Sequence, residues 1–148
     1  LDLFLYRVVP NANLRNREHR VPSSTPGQVN VFQNALPLDL YYLLTVGTIQ
    51  GQSEELPLFW LGHAMQTLQA DPDLTVQGMN ETVHVTLEPL TTEEASRIWT
   101  LFPAANYRTS IAYCATPVWI DPPMPTPVAP PVIEDQLLAA SKATEARP

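Results

Sequence analysis

The sequence predicts an α+β domain: a mixed, mainly antiparallel β-sheet of four to five strands flanked by two helices, with an extended Pro-rich C-terminal arm. Three observations predict it. Strand-like apolar segments recur near residues 1–9, 38–46, 83–87 and 107–116. Two segments of helical period, 57–70 and 91–102, fall among them. Proline then supplies seven of the fifteen residues from Pro117 to Pro131.

The first strand, Leu1–Val9, carries Leu1, Leu3, Leu5 and Val9 on one face and Phe4, Tyr6 and Val8 on the other. Two apolar faces predict a strand covered on both sides. Pro10 closes it, because proline cannot donate to a ladder. Residues 11–35 are rich in Asn, Arg, Ser, Pro and Gln, with no period except a short strand pattern at Val29–Phe32; a surface loop is expected. In the second long strand, Leu38, Leu40, Tyr42, Leu44 and Val46 share a face opposite Tyr41 and Leu43, and Gly47 and Gly51 mark the exit.

The first helix is predicted over Pro57–Ala70. Pro57 suits its first turn, Leu58, Leu61, Met65 and Leu68 form its apolar stripe, and Pro72 follows its end. Gly62, unfavourable by about 1 kcal/mol inside a helix, implies close packing on a strand. Val83, Val85 and Leu87 alternate with His84, Thr86 and Glu88 in a strand closed by Pro89. Thr91 and Glu94 then have capping-box spacing, and Leu90 with Ala95 the staple positions. Ala95, Ile98, Trp99 and Phe102 make the buried stripe of this second helix, which ends before Pro103. The last strand runs from Tyr107 to Thr116; Pro117 perturbs it and Val118–Ile120 extend it.

The domain is expected over residues 1–120. The arm, 121–148, should favour extended polyproline geometry, with a short amphipathic helix about Ile133, Leu137 and Ala140. The chain opens on Leu rather than Met, already inside a strand pattern, so an upstream part of the domain is expected to be missing.

Net charge is −7, unevenly spread. Residues 1–20 hold Arg7, Arg15, Arg17 and Arg20 against two acids, whereas residues 21–106 hold Arg97 against nine acids. An acidic body disfavours nucleic acid, whose phosphates need neutralising. The basic end suits an acidic protein surface instead. The apolar runs are strand-sized, so no membrane insertion is expected. No export leader is visible, and the single Cys114 excludes an internal disulfide and fits a reducing compartment.

Reaction centres are not evident. His19, His63, His84 and Cys114 show no ligand spacing, so no metal or other cofactor is expected. Cys114 lies mid-strand among small residues, where an inert packed thiol outweighs a Cys114–His84 nucleophile pair. Glu54–Glu55 reads as part of a polar turn and Glu93–Glu94 as helix-dipole partners. The five glycines make no phosphate loop. The PPMP and PVAP pieces formally match P-x-x-P without nearby basic residues, and Asn80–Glu81–Thr82 is a formal sequon with no secretory context.

Taken in order, LFLYRVVPNANLRN, LDLYYLLT, LGHAMQTL, TLEPLTTEEASRIW and YRTSIAY closely resemble the N-terminal domain of the terminal cap (tail-terminator-like, Pvc16) proteins of bacterial contractile injection systems. The resemblance covers Leu1–Ile120. It implies a tail-terminator-like fold and a non-enzymatic protein forming a homohexameric ring on sheath and inner tube. Such a ring ends polymerisation and anchors the last sheath layer. The alternative within the same particle is an adaptor joining tube to baseplate or recruiting cargo. Assembly is expected in the bacterial cytoplasm, in a particle released from the cell or retained. Arg15, Arg17, Arg20 and Trp119 are the expected contacts with a neighbouring subunit, sheath or tube.

Overall fold

The structure is a computed structural model that describes residues 1–23, 25–47, 55–75, 81–103 and 105–127. A five-stranded antiparallel sheet carries the fold, and each strand follows from its residues. β1 (Asp2–Pro10) pairs with β4 (Leu36–Thr45), β4 with β7 (Ser110–Ile120), β7 with β6 (Thr82–Glu88), and β6 with β5 (Asp73–Thr75). The second half of β4, YYLLT, and the start of β7, SIAYCA, are rich in aromatic, aliphatic and small residues, suiting the two central strands. A separate hairpin, β2 (His19–Pro22) and β3 (Val29–Phe32), occupies the long connection between β1 and β4.

Each face of the sheet meets one helix. Leu61, Ala64 and Leu68 of α1 (Glu55–Ala70) pack against Leu44, Val85, Ile111 and Tyr113. On the opposite face lie Tyr41, Leu43, Ala112 and Cys114, with α2 (Thr92–Trp99) beyond. There the Phe4 and Phe102 rings meet edge-on at 4.7 Å, and Ile98 is buried. Leu43, at 1% exposure, is the centre of the fold. Among the described residues no helix is long and apolar enough to cross a membrane.

α2 bears out its capping box, but it ends three residues before Phe102, which the sequence had placed in its stripe. Glu94 N–H donates to Thr91 Oγ1 at 3.2 Å, and Thr91 N–H donates back to Glu94 Oε2 at 3.0 Å. Two donors that the helix leaves orphaned are thereby satisfied. The helix stops at Trp99, with Thr100 as C-cap, four residues before Pro103.

Several expectations are corrected. β1 is not covered on both sides: it is an edge strand, with Leu1, Leu3, Leu5 and Val8 between 42% and 65% exposed. The α2 side reaches this strand, where Phe102 meets Phe4, while α1 packs on β4, β6 and β7 and leaves the face with Leu3 and Leu5 open. In α1, Leu58 is exposed with Phe59 and Trp60; the buried stripe starts at Leu61. β7 begins at Ser110, leaving Tyr107 exposed, and continues through Pro117. It can do so because Asp39 alone faces Thr116 and Pro117, a bulge where no ladder donor is needed. Within residues 11–35, the expected strand at Val29–Phe32 is present and pairs with β2 in a hairpin whose turn gives Gly27 φ +79°, the left-handed region open to glycine. β5 had no sequence signal. Gly51, Asn80, the Glu54 carboxylate and the expected helix about Ile133 lie outside the described residues.

Candidate functional site

The chain departs from regular sheet structure where β1 ends, and Asn11 shows why. Its side-chain oxygen accepts from the N–H groups of Asn13 and Leu14 at 3.0 and 3.1 Å, closing a turn. Its amide nitrogen donates to Asp39 Oδ1 at 2.8 Å and to Thr116 Oγ1 at 3.3 Å, and its backbone N–H bonds Pro37 O at 2.9 Å. One asparagine therefore folds the loop and fastens it to the β4–β7 bulge. The loop holds Arg15 and Arg17 in solvent, with no ion pair among the described residues. Arg20, also exposed on β2, is paired with Glu18; its Nε donates at 2.8 Å.

Trp119, grouped with these arginines in the sequence reading, is half-buried and faces inward. Its indole stacks on the His19 imidazole with centroids 4.5 Å apart and planes 6° from parallel. His19 is 8% exposed. Its Nδ1 lies 2.8 Å from Asp121 Oδ1 and its Nε2 3.5 Å from Glu81 Oε1. Burial pushes the Glu81 carboxyl above its usual value; His19 opposes this and Asp121 adds to it. The histidines do not all remain scattered, as the sequence had suggested. The fold brings one of them to two carboxylates separated from it by 62 and 102 positions. Spacing along the chain could not reveal that.

The arm begins at this junction. Thr126 N–H donates to Val31 O at 2.7 Å, and Gln33 N–H donates to Thr126 Oγ1 at 3.2 Å. Its first residues therefore run along β3 instead of projecting away. Beside the junction, the part of the sheet that α1 leaves open forms an apolar groove of about 400 Å³. Leu40, Tyr42, Val83, Tyr113 and Trp119 are among its walls, with Glu81 at one side.

The catalytic candidates behave differently. Cys114 is 7% exposed, and burial, helped by Asp39, pushes its thiol above the ordinary value. A raised pKa reduces the nucleophilic thiolate at neutral pH. His84 sits opposite Thr116 rather than Cys114, and its Nδ1 is 2.5 Å from Asp73 Oδ1. Glu93 bonds Arg97 one turn on, at 2.6 Å. His63 is exposed and adjoins the Trp60 ring.

A family model described as the Pvc16 N-terminal domain matches residues 1–134, running past Ile120 into the Pro-rich stretch. Among solved structures, the chain is similar to one described as the PVC sheath/tube terminator in the extended state, from an extracellular contractile injection system seen by cryo-EM. Identity is 18% and the TM-score 0.54, over 95% of this chain and 51% of that one. The chain therefore spans about half the length of that terminator. No curated protein matches it.

Proposed function

The chain belongs to the Pvc16 N-terminal domain family, and on that premise we propose that it is a structural cap of a contractile injection particle. In this reading it forms a homohexameric ring on the last layer of sheath and inner tube, ends their polymerisation and anchors the sheath through contraction. The observation that carries the proposal is the shared fold with a sheath/tube terminator over 95% of the chain.

The surface suits such a role physically. Tubes and sheaths grow by stacking identical rings, so the last ring exposes unsatisfied heterologous contacts. A capping subunit needs surfaces that match that ring and nothing that recruits another. The open edge of β1, with exposed Leu3, Leu5 and Val8 and Leu1 just before it, and the exposed Leu58, Phe59 and Trp60 of α1 supply apolar area for neighbours. Arg15, Arg17 and Arg20 add positive charge on an otherwise acidic chain. The particle would assemble in the cytoplasm and act after release or from within the cell.

Electron microscopy of particles from cells lacking the protein tests the proposal. Sheaths and tubes of uncontrolled length, or collapse on purification, are expected. Six copies at the end distal to the baseplate are expected in wild-type particles. Particles of normal length without the protein, or labelled protein at the baseplate or in the lumen, would overturn it in favour of an adaptor role.

A further inference from the structure

We propose that His19, Glu81 and Asp121 form a binding site for one first-row divalent cation. One ring nitrogen of His19 and one oxygen from each carboxylate lie within 4.8 Å of one another. Bond lengths of 2.0–2.2 Å would place such ligands about 3.4 Å apart around a tetrahedral ion. His19 Nε2 and Glu81 Oε1 already stand 3.5 Å apart, while Asp121 Oδ1, 2.8 Å from Nδ1, faces the other ring nitrogen and would orient the imidazole. A histidine nitrogen with a carboxylate oxygen, and a second carboxylate on the histidine's other nitrogen, is donor chemistry that suits zinc and related ions, the remaining positions falling to water.

Two further observations support a cation here rather than a simple ion pair. First, two carboxylates, with no lysine or arginine partner among the described residues, converge on one buried histidine, their side chains only 14% and 25% exposed. Second, the ligand is preorganised. Trp119 stacks within 6° of parallel on one face of the ring, and Phe32 lies 6.4 Å away, so the imidazole plane is fixed with its nitrogens directed at the carboxylates. Ligands held in place by neighbours bind ions more tightly than free ones.

An ion there would join three parts of the chain: the hairpin carrying Arg20, the start of β6, and the root of the Pro-rich arm. The site stands independently of the cap proposal, because its test reads metal binding and not particle assembly.

The full chain, stripped with EDTA, is titrated with Zn²⁺ by calorimetry while tryptophan emission is followed. One ion per chain is expected, with an emission change because Trp119 stacks on a ligand, and a rise in melting temperature that EDTA reverses. Glu81→Gln, which nearly preserves shape, should weaken binding by at least about tenfold, as should Asp121→Asn. His19→Ala should abolish it. His84→Ala, at the exposed His84–Asp73 pair, should leave binding unchanged. If His19→Ala does not fold, the two carboxylate variants decide the question. Absence of binding at micromolar Zn²⁺, wild-type affinity in Glu81→Gln, or loss that follows His84 would overturn the proposal.

Discussion

At the scale of single residues, hydrogen-bond geometry decides what each polar side chain contributes. Thr91 is the clearest case, since its hydroxyl and backbone both serve the start of α2. Thr91→Ala should lower stability by about 1 kcal/mol in denaturant unfolding. The same bonds hold the Glu94 carboxyl below its ordinary value, with Arg7 and Arg97 helping less. A depressed carboxylate contributes stability above its unfolded pKa, near 4.3, and loses it as pH falls through the lower folded value. The stability gap between wild type and Glu94→Ala should therefore narrow on acidification from pH 7 to below about 4. Cys114 makes the converse case. Burial suppresses its thiolate, so a thiol reagent should modify it in unfolded protein and leave native protein largely unlabelled. Rapid labelling of the native chain would contradict this account of the β7 core.

At the scale of elements, burial separates the strands that hold the fold from those that only border it. β4 lies between two partners, and its Leu43 is almost fully enclosed. Leu43→Ala should cost about 3 kcal/mol, from lost transfer energy plus the cavity left behind. On β1, Leu3 is 65% exposed, and Leu3→Ala should change stability by less than about 0.5 kcal/mol. Equal losses at both positions would mean that β1 is covered in solution. The sequence did not distinguish these strands, because β1 and β4 are both apolar on two faces. Apolarity records what a strand can bury, while its place in the sheet decides what it does bury. The start of α2 was legible to the residue, since a capping box is a local signal, whereas its apolar period ran on to Phe102, three residues past the observed end. α1 was legible in extent but not in orientation. With Leu56, Leu58, Phe59, Trp60 and Leu61 nearly consecutive, its N-terminal half offers no unique apolar face.

At the scale of the whole molecule, the elements proposed to function gather at one end of the sheet. The arginine loop, the His19 cluster and the root of the arm all contact the β4–β7 bulge region or β3. Charge reversal of Arg15, Arg17 and Arg20 together should weaken ring or particle assembly while leaving the melting temperature of the isolated chain nearly unchanged. These side chains are exposed, and exposed charges contribute little to folding. Assembly at wild-type levels would remove them from the proposed interface. Deletion of residues 121–148 should impair particle stability and also loosen the hairpin, because Asp121 and Thr126 bond to it.

The sequence by itself determined the α+β class, the start of α2, the four long strands and the family resemblance. Each depends on local periodicity, capping or motif order along the chain. Only the tertiary structure decided that β1 is an edge, that Pro117 sits at a bulge, that β2 and β3 pair as a hairpin, and that Trp119 faces His19 rather than solvent. It alone brought Glu81 and Asp121 to that histidine. Those outcomes depend on which distant segments meet, and register and packing set such meetings without leaving a fixed spacing in the chain.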